Sequence, residues 1–286
     1  MIGGAVARLA ASAGHEVHAV ARRPAARTDG VTVHQVDLLT ANAGSELIEE
    51  LRPTHLVHAA WETTQPTYWS SLVNLEWIAA TAALARAFAE YGGKRFLQIG
   101  SCAEYDWSDG QCSEGVTPER PTTRYGLAKL AAWKAVETAA FGDFEAVEPR
   151  IFFVYGPGEN KDRLIPYICR SHRDGVVPEL SSGQQVRDLL HVDDAASAIM
   201  AVAESTLVGV VNIGSGTPHS LGDAARILGE CAGAADSGLG RRPDRAGDPG
   251  RLVPDTTRLF STGWRPRVPL NDGLSRTFSH WLEDQG

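Results

Sequence analysis

The sequence has few of the features that mark a metalloprotein, a disulfide-stabilised protein or a membrane protein. Its four cysteines show no short paired spacing of the kind that zinc sites and redox motifs use, so we expect reduced thiols and no metal. No apolar run approaches the roughly 20 residues needed to cross a bilayer, and the first residues do not have the pattern of a signal peptide. We therefore predict a cytoplasmic protein.

Positive charge is also scarce. The 286 residues include 27 lysines and arginines against 35 aspartates and glutamates, which gives a formal net charge of −8 at pH 7. This balance gives no electrostatic reason to expect nucleic acid or a membrane surface as a partner. Local basic sites for a phosphorylated small molecule stay open. Four residues are lysines, at positions 94, 129, 134 and 161, so each can be weighed individually.

Helical and strand-like patterns alternate through the first half of the chain. Helical patterns cover 4–13, 43–51, 68–91 and 124–140, and strand-like runs cover 15–21, 31–37, 55–60, 95–100 and 144–156. Strands separated by helices predict an α/β fold with a doubly wound parallel sheet of Rossmann type.

After residue 156 the composition changes, because proline and glycine become frequent and the helical patterns shorten. We predict a dinucleotide-binding domain over 1–156. Residues 157–286 are predicted to form a smaller, loop-rich and mainly substrate-binding part, with some segments that return to the sheet.

One group of residues suggests chemistry at the sheet edge. Tyr125 and Lys129, in "YGLAK", are four apart and share a helix face. A lysine ammonium beside a phenol stabilises the phenolate and lowers its pKa, so Tyr125 could exchange a proton with a sugar oxygen. Ser101 directly follows the strand "RFLQIG", at its carboxyl end, and could hold the same oxygen. The alternative is an ordinary surface helix.

Several motifs in order carry a resemblance to a known family. "HLVHAAW", "SLVNLEW", "RIFFVYGPGE", "GQQVRDLLHVDDAA", "VVNIGSG" and "GWRP" are similar to landmarks of the extended short-chain dehydrogenase/reductase family, of the NAD-dependent epimerase/dehydratase type. The resemblance implies a catalytic triad of Ser101, Tyr125 and Lys129, with Lys129 also touching the nicotinamide ribose. It further implies a nucleotide-linked sugar as substrate and, in many relatives, a homodimer through the long helices.

The sequence departs from relatives at the substrate side. Sugar-nucleotide 4,6-dehydratases carry an Asp-Glu pair after the serine position, where this chain has Cys102 and Ala103, so dehydration is not expected. Phe153 replaces an asparagine that helps to hold the substrate in relatives. Arg187 suits a diphosphate because its planar fork binds two oxygens, and a salt bridge with Asp188 or Asp193 is the alternative. The expected substrate-binding residues are Ser101, Glu104, Phe153 and Arg187.

The resemblance also places a dinucleotide. Arg22 and Arg23 follow the strand-like run 15–21, which matches the family's second strand. At this position arginine suits the extra phosphate of NADP better than it suits the ribose of NAD. A solvated arginine pair is the alternative. Either NADP or NAD is therefore expected, with NADP favoured. The expected cofactor-binding residues are Gly3, Arg22, Arg23, Asp37, Leu38, Ala59, Ala60, Trp61, Asn74, Tyr125 and Lys129.

The opening "MIGGAVARL" aligns Gly3 with the third glycine of the family's GxxGxxG turn. The family's first strand and the other two glycines have no counterpart. One explanation is a start assigned too far downstream. The other is a short chain in which another segment or a partner fills the gap and cofactor binding is weakened or lost.

These observations lead to two function hypotheses. The first is an NAD(P)-dependent oxidoreductase or epimerase that acts on a nucleotide-linked sugar, with reduction of a 4-keto-6-deoxy sugar as its most specific form. The second is a cofactor-impaired relative that binds a sugar nucleotide or a partner protein without redox chemistry.

Overall fold

The computed structural model describes residues 1–23 and 28–283. Its first part runs α1 (Ile2–Ser12), β1 (Val17–Ala21), β2 (Val31–Gln35), α2 (Ala43–Leu51), β3 (His55–His58), α3 (Val73–Glu90), β4 (Arg95–Gln98), β5 (Gly100–Ser101), β6 (Gln111–Cys112), α4 (Arg124–Ala139), β7 (Glu145–Ile151) and β8 (Phe153–Tyr155). Short 3-10 turns at Thr67–Trp69 and Cys102–Glu104 precede α3 and follow β5.

The second part of the chain alternates strands with shorter helices. It runs α5 (Leu164–Arg173), β9 (Val186–His191), α6 (Val192–Ala203), β10 (Gly209–Ile213), β11 (Pro218–Ser220), α7 (Leu221–Cys231), β12 (Arg251–Pro254), α8 (Thr257–Ser261) and α9 (Leu270–Glu283). No helix among the residues placed by the structure is long and apolar enough to cross a membrane.

The main sheet is parallel and has the order β3-β4-β7-β10, with β5 also paired to β7. Leu97 of β4 lies in register between Val57 of β3 and Val147 of β7. Leu97 and Val147 are fully buried, and they belong to an aliphatic cluster that also includes Val211 and Ile213 of β10. The Rossmann-type α/β fold expected from the sequence is confirmed.

The strands β1 and β2 form a separate parallel pair, with Val17 opposite Val31. Within the described ranges, β1 pairs with β2 alone and β3 pairs with β4 alone, so each strand keeps one edge without a ladder partner. The helix α1 packs beside them and buries Ala5 and Val6 in the aliphatic cluster. Two strand edges are therefore left open next to the first helix.

Two sequence predictions need correction. The strand-like run 144–156 divides at Phe152, because β7 belongs to the main sheet whereas β8 pairs with β9 in a second sheet of order β11-β9-β12-β6. Phe152 is buried with Tyr105 and Leu252 at this change of sheet. The long helix begins at Val73 rather than near residue 68, since Thr67–Trp69 forms a 3-10 turn first.

Candidate active site

The Ser101 and Tyr125 side chains meet where β5 ends and α4 begins. The Thr123 side chain caps α4 by accepting a hydrogen bond from the Gly126 N–H at 3.0 Å, which fixes where the helix starts. A Cβ atom at Gly126 would lie 2.2 Å from the Ala103 carbonyl oxygen, so only glycine lets the helix come this close. This approach places the Tyr125 phenol in hydrogen-bonding contact with the Ser101 hydroxyl.

The Tyr125 ring is enclosed by other aromatic rings. It is 9% exposed, and the rings of Tyr68 and Trp69 meet it edge-on at centroid distances of 4.9 and 5.5 Å. Burial raises the pKa of Tyr125, partly offset by the hydrogen bond to Ser101. The direction of this pKa change is opposite to the lowering that the sequence suggested, and it favours the neutral phenol.

Lys129 lies one helical turn from Tyr125 and is 3% exposed. Its ammonium donates to the Ile99 carbonyl oxygen at 2.9 Å and lies 3.9 Å from the centre of the Trp61 ring, a cation–π contact. Burial lowers the pKa of Lys129 to about 8, while the charges of Glu104 and Glu148 oppose that change. The ammonium is thus held by a carbonyl oxygen and an aromatic face, and two buried carboxyl groups favour its charged form.

Trp61 is held over Lys129 by Asn74. The Trp61 Nε1–H donates to Asn74 Oδ1 at 2.9 Å, and the ring stacks on Trp77 at 5.6 Å. The Asn74 amide in turn donates to the carbonyl oxygens of Tyr68 at 2.7 Å and Ser71 at 3.0 Å. Asn74 therefore joins the Tyr68 turn to the ring that covers the lysine. Its direct contact with a cofactor stays a prediction.

Glu104 occupies the core directly behind Ser101. Its carboxylate accepts a hydrogen bond from the Ser101 N–H at 2.6 Å, closing a capping box in which the Ser101 hydroxyl accepts from the Ala103 N–H. Its side chain is fully buried and lies 3.2 Å from the Arg150 guanidinium. The substrate contact predicted for Glu104 stays a prediction, and this burial counts against it.

Arg187 and Phe153 lie together, as expected for a shared site. The Arg187 guanidinium is 5.3 Å from the Phe153 ring centre and donates to the Asp248 carboxylate at 2.8 Å. The salt bridge considered with Asp188 or Asp193 is wrong, because Asp188 accepts from the N–H groups of Ser215 and Gly216 instead. Asp248 is a residue that sequence reasoning missed, although it lies inside the arginine-rich segment "RRPDRAGDPGR".

An open cavity of about 520 Å³ lies between the segment 105–110 and the segment 247–251, and none of the three triad residues lines it. Trp107, which packs with Tyr125, lines it, and so does Thr122, just before α4. Asp106, Asp109 and Arg251 complete a polar wall. Carboxylates, a guanidinium and an aromatic face together suit a hydroxylated ligand. Among the residues placed by the structure, no cluster of three potential metal ligands occurs.

The first turn of α1 is suited to a phosphate. Its N-cap residue makes no side-chain cap bond, and no acidic residue lies in this turn. A Cβ atom at Gly3 would lie 3.4 Å from the Ala59 side chain, so Gly3 borders the residues that follow β3. The residues present on this side therefore fit a dinucleotide phosphate.

The remaining residues expected at the cofactor lie around this edge of the molecule. Arg22 lies 3.8 Å from the Glu62 carboxylate and Arg23 is exposed, both just after β1. The Asp37 carboxylate accepts from the Leu39 N–H at 3.0 Å, and Leu38 packs against the cluster under α2 and α3. Ala60 lies between Ala59 and Trp61, after β3. The structure brings Trp61, Asn74 and the triad into contact, and it places the arginines and Asp37 at the ends of β1 and β2.

Comparison with known proteins supplies the family context. A model of the NAD dependent epimerase/dehydratase family matches residues 1–214. The chain is 26% identical over 278 residues to GDP-L-fucose synthase 1 from Arabidopsis thaliana, covering 87% of this chain and 83% of that protein. It is 31% identical over 207 residues to a dTDP-glucose 4,6-dehydratase from Streptomyces griseus, covering 69% of this chain but 61% of that protein.

Solved structures show the same fold. MoeE5 in complex with UDP-glucuronic acid and NAD superposes with a TM-score of 0.84 at 28% identity, covering 98% of this chain and 95% of that one. The similarity therefore extends through the second part of the chain, beyond the segment that the family model matches.

Proposed function

Because the chain belongs to the NAD dependent epimerase/dehydratase family, we propose that it transfers hydride to or from a sugar carbon of a nucleotide-linked sugar, with NADP or NAD as cofactor. In its most specific form, it reduces a 4-keto-6-deoxy sugar. The observation that carries this proposal is the buried contact of Ser101 with Tyr125, backed by Lys129.

A neutral Tyr125 phenol is the form that a reduction requires. A keto oxygen that becomes a hydroxyl needs a proton donor, and burial keeps the Tyr125 phenol neutral by raising its pKa. Ser101 orients the same oxygen through its hydroxyl. Lys129, one helical turn along α4, would supply positive charge that stabilises the negative charge developing as the proton leaves. When bound, the nicotinamide supplies or accepts the hydride.

We assign the cofactor to the side of the molecule bordered by α1. The first turn of α1 with Gly3, together with Ala59 and Ala60, would hold the diphosphate. Asp37 and Leu38 would border the adenine, and Arg22 and Arg23 would meet the 2′-phosphate of NADP. Trp61, Asn74, Tyr125 and Lys129 would border the nicotinamide nucleoside. On the substrate side, Arg187 would bind the diphosphate above Phe153.

Residues 1–156 would form the dinucleotide-binding domain and residues 157–286 the mainly substrate-binding part. β10 is then a segment of the second part that returns to the main sheet.

Dehydration is not part of this proposal, although one relative is named a dehydratase. Cys102 follows Ser101, and burial raises the pKa of its thiol to about 12. A neutral thiol and the methyl group of Ala103 cannot take and return protons as carboxylates do. The structure offers no acid–base pair at these two positions.

A second candidate is binding of a sugar nucleotide or a partner protein without redox chemistry. The unpaired edges of β1 and β3 favour it, because they lie where a dinucleotide would have to be held. The buried triad counts against it, since a pure binding protein has no need of a lysine in that position.

The proposal is tested with Tyr125→Phe and, as a matched control, Tyr91→Phe at the far end of α3. Consumption of NADPH with a nucleotide-linked 4-keto-6-deoxy sugar should fall by a factor of about 100 to 10,000 in Tyr125→Phe and stay unchanged in Tyr91→Phe. Circular dichroism confirms that both variants fold. Full turnover by folded Tyr125→Phe would remove the proposal.

A further inference from the structure

A buried group of charged residues lies behind the triad. Glu104, Glu148 and Arg150 all have fully buried side chains. A single Arg150 nitrogen, Nη2, lies 2.8 Å from Glu148 Oε2 and 3.2 Å from Glu104 Oε2. The same nitrogen donates at 2.6 Å to the carboxylate of Glu119, which is partly exposed and also lies 3.5 Å from the Lys134 ammonium. One guanidinium therefore faces three carboxyl groups.

The two buried carboxyl groups approach the same Arg150 nitrogen. A Cβ atom at Gly100 would lie 2.8 Å from the Glu148 carboxyl carbon, so β5 leaves that side chain no room to turn away. Apart from the Arg150 ion pairs, both Glu148 oxygens and Glu104 Oε2 have no hydrogen-bond donor among the described residues. One guanidinium offsets one of these two buried carboxyl charges, so a proton on the carboxyl pair relieves the excess.

The charges around Glu148 agree with this requirement. Burial raises the pKa of Glu148 well above its ordinary value, and the neighbouring Glu104 raises it further. Arg150 lowers it, and Glu119 opposes Arg150 from a greater distance. Glu148 is thus the carboxyl group whose neutral form is favoured, while Glu104 accepts a hydrogen bond from the Ser101 N–H.

The same pair acts on the lysine of the site. Lys129 donates to the Ile99 carbonyl oxygen, directly before Gly100 and Ser101, against which Glu148 and Glu104 lie. The two carboxyl groups act electrostatically on Lys129, and Lys129 in turn lowers the pKa of His58. The carboxyl groups raise the pKa of Lys129, whereas His58 is neutral because burial lowers its pKa to about 3.

We propose that Glu104 and Glu148 share one proton and one negative charge, and that they are positioning residues which hold the Lys129 ammonium charged behind Tyr125. Glu104 also accepts a hydrogen bond from the Ser101 N–H and so fixes the backbone there. The same carboxyl pair therefore positions Ser101 directly and acts on Tyr125 through Lys129. This inference rests on the proposed role of Lys129, but its test uses no turnover. Its failure and the failure of the proposed function are therefore distinguishable.

The scarcity of lysine makes the test direct. In a background with Lys94→Arg, Lys134→Arg and Lys161→Arg, Lys129 is the one remaining lysine. Its side chain, labelled with carbon-13, then gives a single NMR signal whose pH titration reports the ammonium pKa. The titration is repeated with Glu148→Gln, with Glu104→Gln and with both substitutions together.

Sharing predicts an uneven result. Glutamine resembles a protonated glutamate, so Glu148→Gln should leave the Lys129 pKa nearly unchanged. Glu104→Gln should change it little, because Glu148 then takes the charge. The double variant should lower it by about one to three pKa units, since the only charge is gone. An unchanged pKa in the double variant, or a full decrease already in Glu148→Gln, would overturn the proposal.

A second measurement covers a double variant that does not fold. The infrared spectrum of the wild-type protein at pH 7 should contain a protonated-carboxyl band that disappears in Glu148→Gln. A wild-type spectrum without that band would show two ionised carboxylates and would equally overturn the proposal.

Discussion

The surroundings of the triad and the β1–β2 pair differ in two respects: how many of their polar groups have hydrogen-bond or ion-pair partners, and whether the strand edges are paired. Around the triad, Ser101, Tyr125 and Lys129 are held by a cap, an aromatic enclosure and a buried charge cluster. In the β1–β2 pair, one edge of β1 has no partner among the described residues, and Val20 and Val33 are 39% and 38% exposed.

This difference shows that the two halves of the expected site are built independently. The triad is held by β4, β5, β7 and α4, and each of these contacts is complete without β1 or β2. The residues expected to select the cofactor lie on the open side, where their contacts are few and exposed. Substitutions around the triad should therefore affect stability strongly, and those near β1 should affect mainly ligand affinity.

The largest effect is expected from Arg150→Met. Removing the guanidinium leaves two buried carboxyl groups without their ion-pair partner, which should lower the free energy of unfolding by about 3 to 5 kcal/mol. Arg22→Met, at a half-exposed ion pair, should change it by less than about 0.5 kcal/mol. Urea denaturation measures both. Equal effects would abolish the distinction between the two regions.

A smaller effect is expected from Asn74→Ala. This change removes the acceptor of the Trp61 N–H and two buried donors, and should cost about 1 to 3 kcal/mol of stability. The matched control is Asp37→Ala, which removes one exposed hydrogen bond to the Leu39 N–H. Thermal unfolding should separate the two variants by several degrees. An Asp37→Ala variant that is as unstable as Asn74→Ala would contradict the proposed difference between the two regions.

The loss of folding stability at low pH should also depend on a residue near the triad, His58. Burial lowers the pKa of His58 to about 3, whereas the unfolded chain protonates this residue near 6.5. The unfolded state thus binds more protons between these values, so stability falls as the pH drops, by about 1.4 kcal/mol per pH unit. Glu and Asp residues add their own dependence, so the difference between wild type and His58→Gln is the quantity to measure.

In His58→Gln the loss of stability between pH 6.5 and pH 5 should be smaller than in wild type. Parallel slopes for wild type and His58→Gln would mean that His58 is protonated in the folded protein.

The smallest effect is expected on the open side. Replacing Arg22 and Arg23 with alanine should weaken NADPH binding up to about tenfold, or about 1.4 kcal/mol, and leave NADH binding unchanged. Fluorescence titration of both cofactors measures the ratio. Equal weakening of NADPH and NADH would refute selection of the 2′-phosphate by these arginines.

Local signals in the sequence were sufficient for much of the fold. The prediction of α2 at 43–51 is confirmed, and α4 begins at Arg124 after the Thr123 cap. Asp248 could not be assigned to Arg187 in this way, because 61 residues separate them. Glu148 and Arg150 share one face of β7, and two charged residues in this pattern normally indicate a face exposed to solvent. Both side chains are nevertheless fully buried, because they pair with each other and Arg150 also pairs with Glu104.

The most direct test is calorimetric titration of the full chain with NADPH and with NADH. If the open side holds a dinucleotide next to the triad, at least one cofactor should bind saturably with a Kd in the micromolar range, about −8 kcal/mol. NADPH should be the tighter of the two. Absence of binding by both up to about 1 mM, about −4 kcal/mol, would contradict a redox function and favour binding without hydride transfer.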